Sequence, residues 1–444
     1  FYVALRKYVI TPSGKYDVGL TLTILKFIKN EFPLEENVVD VDILKAVKPT
    51  LKGVEAELSM KLRDYQEDIV NTCLKFGRGV VCLATAGGKT LTIANLLERV
   101  YKSAENSQGW RVLIIVPDLG LVSQTYSDFA KYNVSFSFSK WTGSNSVDLT
   151  TNIVIANIGI IQKTNLDIAW IKDVDMLIVD EVHKCKSGNV INDTIKSIKS
   201  PHKFGFTGTL PDRPGDYWNI GGKFGPTIFT KGSHELRVEK YISDVVIHII
   251  NISYTHGPPY MGGVNYSDPG QQYRKELEFI ATNEFRNNVI LQLCNKTKNN
   301  TLILVDYINH GVELHEYLTN SLVDKKVFFI QGAVDVDERD NVKQLIESND
   351  NIVCIAISKI FSTGINIINL HYIVFASGGK AKIKTLQSIG RGLRLHKDKQ
   401  QLTIIDIADQ LKYGSRHSEK RVALYVKEQI PMKITNISEN NSGI

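Results

Sequence analysis

Residues 79–100, "GVVCLATAGGKTLTIANLLERV", decide the fold. The apolar run Val80–Leu83 stops at Ala84-Thr85-Ala86. Gly87 and Gly88 follow, and Lys89-Thr90 opens a stretch with apolar residues at helical spacing. A strand that feeds a helix through two glycines aims backbone N–H groups and the helix dipole at one spot, which favours an anion. A nucleoside triphosphate needs such N–H groups, a lysine to bridge its β- and γ-phosphates, and a hydroxyl for Mg²⁺. The stretch supplies all three. The strict pattern has a further glycine where Leu83 stands, so this is the variant A-x-x-G-G-K-T, with Thr85 and Ala86 inside the loop.

Outward from that loop, the same alternation continues. The runs "RVLIIVP", "NIVIANI", "DMLIVDE" and "KFGFTGT" suit buried parallel strands, and helical stretches such as "LGLVSQTYSDFAKY" separate them. A second series begins near residue 240 with "VVIHIINI", "TLILVDY", "KVFFIQG", "NIVCIAI", "YIVFASG" and "QLTIIDI". The expectation is an α/β fold of two tandem doubly wound parallel-sheet domains, 56–235 and 236–444. The Gly/Pro-rich stretch 211–233 is expected to join them. Residues 1–55 are expected to form a small α+β domain, in which "GLTLTILKFIKNEF" reads as a strand running into a helix. A Gly-, Pro- and Tyr-rich insert, 254–272, interrupts the second domain after its first strand; long loops of this kind are often functional.

Bulk properties narrow the class. The chain has 444 residues, 43% hydrophobic and 23% charged, and a formal net charge of +6, which permits a polyanionic partner without demanding one. No apolar run is long enough to span a membrane, and no secretory signal is evident. The five cysteines, Cys73, Cys82, Cys185, Cys294 and Cys354, show no C-x-x-C spacing, which argues against zinc and for free thiols in a reducing cytoplasm.

"MLIVDEVH", 176–183, is an apolar strand ending in two carboxylates. Asp180 can bind Mg²⁺ with Thr90, and Glu181 can polarise an attacking water. A carboxylate pair at the end of a buried strand is costly unless it is used. Further along, 380–399 carries seven Lys/Arg against Asp398, a local net of +6 that suits phosphate contact, with Lys380 and Lys382 at its start. The aromatic residues are scattered, and no base-stacking platform is evident.

"AGGKT", "DEVH", "GFTGT" and "QSIGRGLR", in this order and spacing, resemble the superfamily 2 helicases, whose fold is a tandem of RecA-like domains. The resemblance implies an ATP- and Mg²⁺-dependent motor on nucleic acid. It gives adenine contacts to Arg63 and Gln66 of "LRDYQ". It gives backbone contacts to Pro117 and Gln124 of "VPDLGLVSQ", to Thr142 and Gly143 of "WTG", and to Asn157, where the family often has Thr. Thr207-Gly208-Thr209 would couple hydrolysis to domain movement, with His183 as relay. "SKIFSTGINI" implies DNA contacts at Lys359, Ser362 and Thr363 and nucleotide contacts at Gly364 and Asn366; the family usually has an acid at Asn366. Gln387, Arg391 and Arg394 of "QSIGRGLR" would be catalytic, the two arginines reaching the γ-phosphate as fingers.

"DEVH" is not the DEAD form of typical RNA helicases, which tilts the reading toward DNA. "IQGAVDVDERD" (330–340), residues 357–396 and "SRHSEKRVALYVKE" (415–428) resemble the compact phage recombination helicases of the UvsW kind. That family implies branched DNA as partner, with forks, Holliday junctions and displacement loops; the expectation for the chain is a cytoplasmic monomer, in the host cell if a phage encodes it. The alternatives are a duplex translocase that does not separate strands, an RNA helicase, and a nucleotide-gated binding module without turnover.

Overall fold

The computed structural model describes residues 13, 15–31, 49–104, 109–143, 147–163, 169–185, 190–259, 268–330, 348–358, 369–377 and 401–441. The chain divides into two compact units, Phe1–Gly232 and Ser233–Ile444.

The first unit is built on seven strands: β1 Gly79–Leu83, β2 Val112–Val116, β3 Phe138–Trp141, β4 Ile153–Asn157, β5 Met176–Asp180, β6 His202–Thr207 and β7 Thr227–Lys231. Every pairing is parallel, in the order β3-β4-β2-β5-β6-β1-β7. β1 and β2 are buried at every residue. Such strands take continuous Val, Ile and Leu because helices cover both faces. All carboxyl ends share one edge, where ligands bind in open α/β sheets.

The opposite edge is held by buried cations. Lys203 Nζ donates to the carbonyls of Ile195 and Ile198 at the end of helix Val190–Ser197. Arg78 donates to the carbonyls of Lys223 (2.7 Å) and Phe224 (3.2 Å), closing helix Pro214–Phe224. Positive charge belongs there, because terminal carbonyls lack helical partners and carry the negative end of the dipole. Burial, helped by Arg78 and Lys223, lowers the Lys203 ammonium to about 8.

The stretch 211–233, expected as a linker, is helix Pro214–Phe224 followed by β7, both part of this unit. Its glycines serve close packing. A Cβ on Gly19 would lie 2.2 Å from the Gly221 carbonyl oxygen and 2.6 Å from that of Gly222, so only glycine lets the N-terminal segment approach. Asp17 adds ion pairs to Lys196 (3.6 Å) and Lys223 (3.7 Å). The strand expected at the start of "GLTLTILKFIKNEF" is instead a 3-10 turn, Val18–Leu20, running into helix Thr21–Glu31. The Thr21 hydroxyl donates to the Val18 carbonyl (2.8 Å) and closes that turn.

The second unit repeats the plan with β8 Asp244–Ser253, β9 Thr301–Val305, β10 Lys326–Ile330, β11 Ile352–Ile357, β12 Tyr372–Phe375, β13 Gln401–Asp409 and β14 Met432–Ser438. The order is β10-β11-β9-β12-β13-β8-β14, again all parallel. Helix Pro269–Thr282 takes up the last residues of the expected insert, whose residues 260–267 lie outside the described residues.

Two buried ion pairs explain the polar residues of β13 and of the tail. Arg421 meets Asp406 at 2.7 Å, and Tyr425 donates its hydroxyl to the same carboxylate (2.7 Å). Arg286 meets Asp409 at 2.8 Å and the Ala376 carbonyl at 2.6 Å, while Tyr254 donates to Asp409 at 2.5 Å. Beside them His310 is buried, and burial together with Arg286 pushes its imidazole down to about 3.

Candidate active site

The phosphate loop leaves β1 at Ala84 and enters helix Lys89–Ser103. Two residues take left-handed backbone: Ala86 (φ 68°) and Gly88 (φ 80°). Gly88 is the residue before the helix, and a Cβ there would lie 2.3 Å from Gln66 Nε2. The Gly87 carbonyl accepts two hydrogen bonds, from Tyr65 Oη (2.8 Å) and Gln66 Nε2 (2.9 Å). Gln66 Oε1 accepts from Arg63 N at 2.9 Å. The expected adenine-side residues therefore also brace the loop. Tyr65 is a residue that the sequence reading missed; its place beside Gln66 was the available signal.

β5 delivers Asp180 and Glu181. The backbone of Glu181 is left-handed (φ 53°, ψ 45°), uncommon for a residue with a long side chain, and Asp180 Oδ1 accepts from its N–H at 2.8 Å. Glu181 Oε1 lies 3.4 Å from Lys89 Nζ. Its Oε2 lies 3.1 Å from His183 Nδ1, whose shorter contact, 2.8 Å, goes to Thr207 Oγ1. Thr207, fully buried, donates its hydroxyl to the Thr209 carbonyl (2.8 Å) and so accepts from the imidazole. A Cβ on Gly208 would lie 3.2 Å from Thr85 Oγ1, which puts the Thr207–Thr209 turn against the phosphate loop.

The electrostatics follow from burial and pairing. Burial raises the Glu181 carboxyl, but Lys89 and His183 outweigh it and hold the group well below the usual range. Burial also acts on Asp180, where it prevails over Lys89 and leaves the carboxyl above the usual range. Burial would lower Lys89; Glu181 and Asp180 outweigh it and raise the ammonium. Glu181 Oε2 is buried and makes no hydrogen bond, so an ionised oxygen keeps its acceptor capacity. This donor set fits a metal–triphosphate: lysine, hydroxyl and carboxylates around a glycine turn.

The remaining first-unit candidates occupy the neighbouring half of the same edge. Pro117 follows β2, Thr142 and Gly143 follow β3, and Asn157 ends β4. Gln124 lies on helix Leu119–Tyr132. Nothing lies within 4 Å of a Cβ on Gly143. Asn157 Oδ1 accepts from Gly159 N at 2.8 Å. Lys359, Ser362, Thr363, Gly364, Asn366, Lys380, Lys382, Gln387, Arg391 and Arg394 lie outside the described residues.

Two family matches divide the chain. Residues 59–212 match the family "Type III restriction enzyme, res subunit", and residues 285–396 match "Helicase conserved C-terminal domain". Together with the two parallel sheets, they define an ATP-hydrolysing helicase. The ATP-dependent DNA helicase uvsW of Enterobacteria phage T4 is 29% identical over 401 residues, covering 84% of this chain and 77% of that protein. The probable helicase D10 of Escherichia phage T5 is 24% identical over 91% of this chain and 81% of its own length. Among solved structures, the ATP-dependent Type ISP restriction-modification enzyme LlaBIII bound to DNA has the same fold over 86% of this chain and 32% of its own, with a TM-score of 0.64 at 14% identity. Over most of its length the chain is thus similar to superfamily 2 DNA helicases of the UvsW type.

Proposed function

We propose that this helicase acts on branched DNA, with ATP hydrolysed at Lys89, Asp180 and Glu181. The observation that carries the catalytic reading is the continuous contact from Lys89 through Glu181 and His183 to Thr207, at the edge where β5, β6 and β1 end.

Lys89 releases Glu181 when the β- and γ-phosphates take the ammonium. Glu181, ionised, then orients the attacking water and accepts its proton. Mg²⁺, held by Thr90 and Asp180, would neutralise developing phosphate charge. His183 shares its Nδ1 side between Glu181 and Thr207, so a change at the carboxylate reaches the Thr207–Thr209 turn. Pro117, Gln124, Thr142, Gly143 and Asn157 would hold the DNA backbone on β2, β3 and β4. Arg391 and Arg394 keep the γ-phosphate role that the family resemblance gives them, and Gln387 its place in the same catalytic motif. The preference for branches rests on the likeness to UvsW-type helicases.

The test is ATP hydrolysis with single-stranded, duplex, forked and four-way-junction DNA and with RNA, beside Glu181→Gln. Strong stimulation by forks or junctions, absent in the variant, is expected. Equal stimulation by plain duplex would replace the reading with that of a duplex translocase. Stimulation by RNA alone would overturn the choice of DNA.

A further inference from the structure

Three helices of the second unit, Pro269–Thr282, Ile308–Ser321 and Lys412–Lys427, bring tyrosines together. The first two helices pack against each other. The Tyr273 ring lies 5.4 Å from Tyr413 and 5.5 Å from His417. Burial, then Tyr307 and Asp306 nearby, pushes the Tyr273 phenol up to about 12. The Tyr413 hydroxyl donates to the Pro269 carbonyl at 3.0 Å, and Lys412 Nζ donates to Gln272 Oε1 at 2.6 Å while lying 5.5 Å from the Tyr413 ring centre. These rings are thus fixed in place.

Next to them stands an exposed apolar group. Tyr307 is 49% exposed, Ile308 50% and Val312 46%. Large apolar side chains gathered on the surface mark a contact. Tyr307 follows β9, which pairs with β11 in the register Ile357 to Val305, and Ser358 Oγ donates to the Val305 carbonyl at 3.1 Å. Exposed cations stand on the same helices as the rings: Lys412, Arg416 and Arg274, the last 3.9 Å from Asp268. Ring faces with cations suit bases and phosphates together.

We propose that Tyr307, flanked by Ile308 and Val312 and backed by Tyr273, is a stacking surface for an unstacked DNA base or the end of a base pair. The inference rests on the branched-DNA reading in one respect, the source of that base. Stacking of this kind tolerates any sequence, because every base has a ring face.

The test titrates the full chain with a fork that carries 2-aminopurine at the unpaired position beside the junction, and with a single strand carrying the same probe. The wild-type protein should quench the probe. Tyr307→Ala should lose the quenching and bind the fork at least about ten-fold more weakly, whereas Tyr307→Phe should keep both. Ile308→Ser with Val312→Ser is an independent variant expected to weaken fork binding. Matched thermal unfolding midpoints control for folding. Wild-type affinity and quenching in Tyr307→Ala would overturn the inference and leave the patch to a protein partner. Equal wild-type affinity for fork and single strand would overturn only the branch preference, because the contrast between Ala and Phe at 307 is read on either probe.

Discussion

Glu181 concentrates strain and charge in one residue. Its left-handed backbone is held by β5 behind it and by the contacts of its carboxylate with Lys89 and His183. Glu181→Gln keeps the shape and removes the proton acceptor. It should lower the ATP turnover rate by about 10²–10⁴-fold while nucleotide affinity, measured with a fluorescent ATP analogue, is retained. Gly88 is different, because its conformation and its space both exclude a side chain. Gly88→Ala should cost about 1–2 kcal/mol in backbone strain and displace Gln66, weakening nucleotide binding by about ten-fold or more. Gly143→Ala, with open space around it, is the matched control and should leave the unfolding midpoint within a degree or so, as surface substitutions usually do.

At the scale of elements, buried charge is what needs its partner. Asp406 is fully buried on β13, and Arg421 reaches it from the following helix. Arg421→Met should destabilise the protein by about 3–5 kcal/mol, because it leaves a buried carboxylate without a counter-charge. Adding Asp406→Asn should recover part of that loss; denaturant midpoints measure both. The tail "SRHSEKRVALYVKE" looked family-like in the sequence, and this pair gives it a physical reason. The strands β1, β2, β4, β5, β6, β8, β9, β10, β11, β12 and β13 were legible from their apolar runs, most of them because burial on both faces leaves an unbroken Val/Ile/Leu signal; edge strand β10 and the alternately buried β8 are legible although less enclosed. β3, β7 and β14 were not. β14 alternates Ile with Lys, Thr and Asn and is largely exposed on an outer edge, while β7 hides in a stretch whose glycines and prolines mimic a linker. Lys89, Asp180, Glu181, His183 and Thr207 could be found as motifs. The bracing of the Gly87 carbonyl by Tyr65 could not, since it depends on a contact across 22 residues.

Across the whole molecule, acid should act on the second unit through His310. Its folded pKa, about 3, lies below the ordinary 6.5, so between these values the unfolded chain binds a proton that the native state refuses. The stabilisation is full above about pH 6.5 and is lost as the pH falls toward 3, by up to about 1.4 kcal/mol per pH unit. The unfolding midpoint should therefore drop between pH 7 and pH 5, and His310→Gln should flatten that drop.

The strand order of the second sheet also has a consequence for synthesis. β8, the first strand of that unit to be made, lies between β13 and β14, the last two. Its edges stay open while the intervening chain of more than 140 residues, 254–400, is still being translated. Pairing across such separations is slow and leaves strand edges exposed to other chains. Ribosome-bound chains stopped before residue 401 should therefore present β8 to chaperones, and release only once β14 has emerged should yield the finished sheet.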